Sequence, residues 1–156
     1  MNFESFEDIK VLMDNFDPAS LLPDLTSVVG TVETLTRLAV VAGPIVLLVL
    51  GLLYMFLSPK EANYHFGYRC FFGMGSEEAW RFTQRFAGIV WAALGLILTI
   101  IMTVITGGFD GKAVMDIVSA GLTCLLWEII LTAISCLAIN LVVAFRFDRN
   151  GLPRNN

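Results

Sequence analysis

The chain predicts an all-α integral membrane protein with three transmembrane helices, and three observations carry that reading. Over half of its 156 residues are hydrophobic, only 15% are charged, and the apolar residues fall into three long blocks. Residues 38–57 and 87–109 hold no charged side chain, and residues 117–145 hold one, Glu128. Each block reaches the roughly 20 residues needed to cross about 30 Å of hydrocarbon at 1.5 Å per residue. We place the spans at about 38–57, 87–107 and 120–145, inside a membrane domain of residues 36–147 followed by a short tail, 148–156. No long extramembrane stretch separates the blocks, so one compact membrane domain is expected.

Residues 1–35 precede the first span and are acidic. Phe3, Phe6, Ile9, Met13 and Phe16 recur at helical spacing, which predicts a short amphipathic surface helix that breaks at Asp17-Pro18 and again at Leu22-Pro23. The acidic start and the late first apolar block do not suit a cleaved leader. Within span one, Pro44 either bends the helix or ends a non-helical lead-in. Ser76 suits the N-cap of a second helix running from Glu77 to Thr106, with Glu77 and Glu78 in its first turn. Gly107-Gly108 and Asp110-Gly111 mark a tight turn before span three.

Charge asymmetry sets the expected orientation. Lys60, Arg69, Arg81 and Arg85 lie between spans one and two, and Arg146, Arg149 and Arg154 follow span three. The positive-inside rule then places that side and the carboxyl terminus in the cytoplasm and the amino terminus outside. Cys70, Cys124 and Cys136 form no disulfide framework, and His65, the single histidine, has no metal-ligand spacing around it. Without a phosphate loop, a nucleophile elbow or a basic tract, neither an enzyme nor a nucleic-acid binder is expected, and no cofactor is implied.

Two helical faces carry the polar residues. On span two, Gly88, Ala92, Gly95, Thr99 and Thr106 share a narrow arc, a small-residue seam for close helix packing. The same arc extends back to Gln84, Arg81 and Glu77, and Glu77 stands in i,i+4 order for an ion pair with Arg81. On span three, Gly121, Cys124, Glu128, Thr132 and Ser135 share a stripe, with Asn140 well off it. A carboxylate at membrane depth marks a functional suspect. Counting back from Arg146 places Glu128 roughly 27 Å away, which also fits a hydrated position near the outer interface. Both readings stand at this point.

Residues 67–88 are the densest polar and aromatic segment, placed between two apolar blocks. Gly67-Tyr68-Arg69, then Met74, Glu78, Trp80, Gln84 and Ala87-Gly88, resemble the signature of the SdpI family of bacterial membrane proteins over residues 40–145. The chain has Cys70, Gly73 and Gly75 where that signature has threonine, serine and lysine, and Gln84 at its amide position. The resemblance implies an immunity or signalling protein of the cytoplasmic membrane. Such a protein resists a secreted antimicrobial peptide, holds a regulatory protein at the bilayer, or does both. On that reading Gly67, Tyr68, Arg69, Glu77, Glu78, Trp80, Arg81 and Gln84 form the functional motif, with Arg69 pairing to Glu77 or Glu78 across the Gly73–Gly75 turn. The alternative is a small-solute or proton-linked transporter built as a homo-oligomer, with Glu128, Thr132 and Ser135 facing the seam of span two, or an accessory subunit of a membrane complex.

Overall fold

The computed structural model describes residues 22–59, 62 and 66–154, and side chains from residue 27 onward. The amphipathic helix expected near the amino terminus lies outside the described residues. Among the described residues there are three long helices: α1, Leu22–Phe56; α2, Glu77–Gly107; and α3, Val114–Arg146. A 3₁₀ turn, Phe72–Met74, sits in the connection between α1 and α2. All three helices are long and apolar enough to cross a membrane, and their outward faces carry side chains such as Leu52, Ile97, Val104 and Ile129. This is a multi-pass membrane protein, and its helices of about 46–52 Å exceed the hydrocarbon thickness.

Helix α1 starts earlier than its composition indicates. Leu22-Pro23, expected as a break, is where α1 begins. Proline is tolerated in a first turn because an amide there has no helical acceptor to serve. Residues 22–35 therefore belong to α1 rather than to a separate acidic segment. Thr31 and Thr34 donate to the carbonyls of Ser27 and Gly30 at 2.9 and 2.8 Å, which hides their hydroxyls in the helix. Pro44 lies inside α1 and does not end it; the lead-in alternative fails. Its missing N–H deprives the Val40 carbonyl of an i+4 donor.

The small-residue seam of α2 packs on α1. A Cβ on Gly88 would stand 2.8 Å from both the Gly51 carbonyl oxygen and the Met55 amide nitrogen. Gly51 in turn abuts the Trp91–Ala92 backbone, and Gly95 abuts Leu48. Dispersion between close-packed backbones is the main attraction available to helices in lipid, so the two main chains approach where side chains are missing. The polar stripe of α3 does not face this seam, contrary to the arrangement expected for a transporter. Gly121 abuts Thr36 and Glu128 abuts Gly43, both on α1. Ser135 reaches α2 off the seam, accepting from the Trp91 indole at 3.1 Å.

Two ends can be told apart. At one, Arg37 of α1 binds Glu33 at 2.5 Å and Asp110 of the α2–α3 turn at 2.6 Å, over a turn that buries Phe109. At the other, the 3₁₀ segment and the chain after α3 cover the bundle. Cys124 packs with Val40, Leu98 and Met102 in the first half, while Tyr68, Ala87, Ile139, Val143 and Phe147 form the core of the second.

The seam makes a direct prediction. Gly51→Leu places a branched side chain against the α2 backbone, and overpacking of this kind costs about 1–3 kcal/mol or more. A lowered thermal midpoint in detergent is expected, whereas Gly107→Ala, with nothing within 4 Å of the added carbon, leaves it unchanged.

Candidate functional site

The motif end is built around one side chain. Gln84, fully buried on the second turn of α2, faces the peptide units of Tyr68. Its Oε1 accepts the Tyr68 amide at 2.8 Å and its Nε2 donates to the Tyr68 carbonyl at 2.7 Å. A carboxamide presents one donor and one acceptor side by side, so it pairs with an extended residue as a neighbouring strand would. Ser76 sets the start of α2: in an extended conformation, it accepts the Ala79 amide at 3.1 Å. Glu77 and Glu78 follow at the positive end of the helix dipole.

Trp80 closes the other side. It is fully buried and donates its indole N–H to the Pro59 carbonyl at 2.9 Å. Gly67 passes under that ring with φ of +120°, and a Cβ there would stand 2.8 Å from the indole and 2.9 Å from Gln84 Oε1. Only glycine meets both demands. Tyr68 then projects to α3. Its hydroxyl donates toward Asn140 Oδ1 at 3.0 Å and the Cys136 carbonyl at 3.2 Å, and its ring meets Trp91 edge-on at 5.4 Å. Burial pushes the Tyr68 phenol up from its ordinary value, so it remains a donor at any physiological pH. Asn140 thus bonds to the loop rather than to a neighbouring helix.

Of the predicted motif residues, Gly67, Tyr68, Trp80 and Gln84 form this clasp, and the charged ones stand outside it. Glu77 pairs with Arg81 at 2.5 Å, each side chain 56% exposed. Neither continues the packing seam, because the first turns of α2 rotate Ala79, Trp80 and Thr83 into the core instead. Arg69, Glu78 and Arg85 are exposed, and Phe71, which the sequence did not single out, is 72% exposed. Glu77, Glu78, Arg81, Arg85 and Leu152 line an open groove of about 780 Å³.

The tail folds back on the motif. Phe147 and Pro153 form an antiparallel bridge, and Asp148 accepts the amides of Asn150 and Leu152 at 2.9 and 2.8 Å. Gly151 receives the Ser76 hydroxyl at 2.6 Å, and Arg146 lies over the Phe82 ring at 4.5 Å. Asn150-Gly151 is a turn signal that could have revealed this segment.

The span-three candidates separate as well. Ser135 is held by Trp91, while Glu128, 8% exposed, sits against Gly43. Gly43 is six residues past Arg37, so Glu128 lies about 9 Å below the Arg37–Asp110 layer. Glu128 is buried within the bundle. Among the described residues, no three His, Cys, Asp or Glu side chains gather where they could hold a metal.

A model of one protein family matches residues 59–144, which take in the clasp, all of α2 and nearly all of α3. The chain belongs to the SdpI/YfhL protein family. No curated protein and no solved structure matches it. Within this SdpI-family frame, two of the chain's departures from the signature have a steric basis. A Cβ on Gly73 would stand 2.5 Å from Thr83 Oγ1 and 2.8 Å from Cys70 Sγ, so the larger sulfur at position 70 fits a residue without a side chain at 73. A Cβ on Gly75 would stand 2.5 Å from the Gly151 amide nitrogen. The tail that displaces the lysine position lies beyond the matched residues.

Two predictions follow from the clasp. Gln84→Leu strands the buried Tyr68 amide and carbonyl at about 1–3 kcal/mol each. Thermal unfolding in detergent is expected to show a loss of about 2–5 kcal/mol, against about 0.5 kcal/mol or less for Arg81→Ala in its exposed pair. Separately, burial raises the Cys70 thiol above its usual value, against smaller opposing effects from the Gly73 amide and Thr83. Less thiolate is then present at neutral pH in the folded state. With Cys124 and Cys136 replaced by alanine, maleimide labelling of Cys70 is expected to be slow at pH 7.5. Its rate rises only above the ordinary thiol range of about 8.5, and unfolding abolishes the delay.

Proposed function

We propose that the protein is an immunity or signalling protein of the SdpI type in a bacterial cytoplasmic membrane. On this reading it confers resistance to a secreted antimicrobial peptide, anchors a regulatory protein at the bilayer, or does both. The observation that carries it is the division of the motif: Tyr68, Trp80 and Gln84 are buried in the clasp, while Arg69, Phe71, Glu78 and Arg85 are exposed at the same end. An exposed aromatic such as Phe71, and a groove lined by Arg81 and Arg85, suit protein recognition. The excess of arginine at this end favours a cytoplasmic location, where a regulator would dock. The Arg37 end and the acidic residues before it would then face a cationic or amphipathic peptide outside. No reaction is assigned to this site.

A homo-oligomeric transporter of a small solute or protons is the second reading, and the burial of Glu128 favours it. The two separate in one assay. In a sensitive Gram-positive host challenged with secreted peptide toxins, the parent is expected to protect. At matched membrane abundance, Arg69→Ala and Phe71→Ala lose protection by tenfold or more in inhibitory concentration, about 1.4 kcal/mol of binding, while Glu128→Gln keeps it. Equal loss in Arg69→Ala and Glu128→Gln rejects the platform as the separate seat of function.

A further inference from the structure

Glu128 raises a question the motif does not answer. Its Oε1 is shielded from solvent and has no hydrogen-bond partner, and its Oε2 would stand 2.6 Å from a Cβ on Gly43. The side chain forms one end of a groove of about 440 Å³ between α1 and α3, walled by Pro44, Leu47 and Leu50 on one side and Thr132 and Ala133 on the other, with Leu98 as its floor. Val46, Ile129 and Ala133 at the rim are exposed on the membrane-spanning face, so the groove opens sideways toward lipid.

Acceptors outnumber donors here. The two carboxyl oxygens bring no donor of their own when ionised, Oε1 has no partner, and Pro44 in the wall has no N–H to offer. Among the described residues, Thr132 supplies the only side-chain hydroxyl, and no Lys, Arg or His lines the groove. Arg37, the basic residue of α1, is already engaged by Glu33 and Asp110. An isolated carboxylate in hydrocarbon is costly, and a paired, hydrogen-bonded one much less so.

We propose that this groove binds a primary ammonium group carried on an alkyl chain, entering laterally from the bilayer. The ammonium matches the site in charge and brings three donors to its acceptors. From Glu128 to Cys136 the groove runs about 12 Å along α3, apolar throughout below Thr132, which accommodates the chain. The site shares no residue with the motif platform, so it stands or falls apart from the proposed immunity role.

Purified protein in neutral maltoside micelles, titrated with dodecylamine, dodecanol or dodecyltrimethylammonium, tests this by the shift in thermal midpoint. Dodecylamine is expected to stabilise the protein at concentrations about tenfold lower than either comparison compound, one lacking charge and the other lacking N–H donors. Glu128→Gln is expected to remove that preference. Ala133→Phe fills the groove from its lipid-facing rim without entering the core, and is expected to weaken the dodecylamine response by a similar factor. Equal effects of dodecylamine and dodecanol, or a dodecylamine preference that survives both substitutions, overturn the proposal. So does a dimer formed through α1 and α3 that does not respond to dodecylamine.

Discussion

The paired hydrogen bonds between the Gln84 carboxamide and the Tyr68 peptide units are the constraint on which the motif end depends. A connection running across the end of a helix bundle has backbone donors and acceptors that neither lipid nor a sheet will satisfy. Gln84 satisfies two of them from within a helix. Fixing the Tyr68 backbone aims its ring at Trp91 and its hydroxyl at α3, while Trp80 covers Gly67 and ties down Pro59. One amide side chain thus joins all three helices through the loop between the first two. Of the charged residues around it, Glu77 and Arg81 pair with each other at the surface and not with the clasp.

Much of this was legible in the sequence, and the failures share a cause. The cap at Ser76, the continuous second helix and the turn at residues 107–111 follow from local chemistry, and the structure has them. The seam on α2 was readable as a seam, but periodicity identifies a face and not its partner; that α1 rather than α3 receives it depends on Gly51 lying opposite Gly88. Glu77 and Arg81 share the seam's arc and yet lie in solvent, because the first turns of α2 present a different arc to the core. Counting back from Arg146 placed Glu128 toward the far end of its span, and its seat against Gly43, six residues past Arg37, agrees. Its burial between α1 and α3 was not readable that way, because distance along one helix says nothing of which neighbour covers a side chain.

The departures from the family signature are similarly coupled across distance. Gly75 gives up a lysine side chain and, in its place, the backbone of Asn150 and Gly151 comes to rest on the loop. Ser76 serves both partners with one hydroxyl, accepting from its own helix and donating to the tail. In this chain the tail therefore covers part of the surface that a lysine would otherwise present. Its packing rests on Phe147 and on Arg146 over Phe82, side chains of the last turn of α3 and the residue after it. The shape of the platform is set as much by the end of α3 as by the signature itself.

The two halves of the bundle treat polarity in opposite ways. Near the motif, donors and acceptors are matched: Gln84 with Tyr68, Tyr68 with Asn140, Trp91 with Ser135, Trp80 with Pro59. Buried networks of that kind fix one arrangement, because every alternative leaves a group stranded. Around Glu128 the match is incomplete, since a carboxyl group stands beside a proline that removes a donor and a glycine that leaves room. Had α1 needed only to pack there, a residue with an N–H at position 44 and an apolar side chain at 128 would have served at lower cost. A saturated half joined to an unsaturated half open to lipid is what a protein needs if it holds a fixed surface at one end and meets a membrane-borne group toward the other.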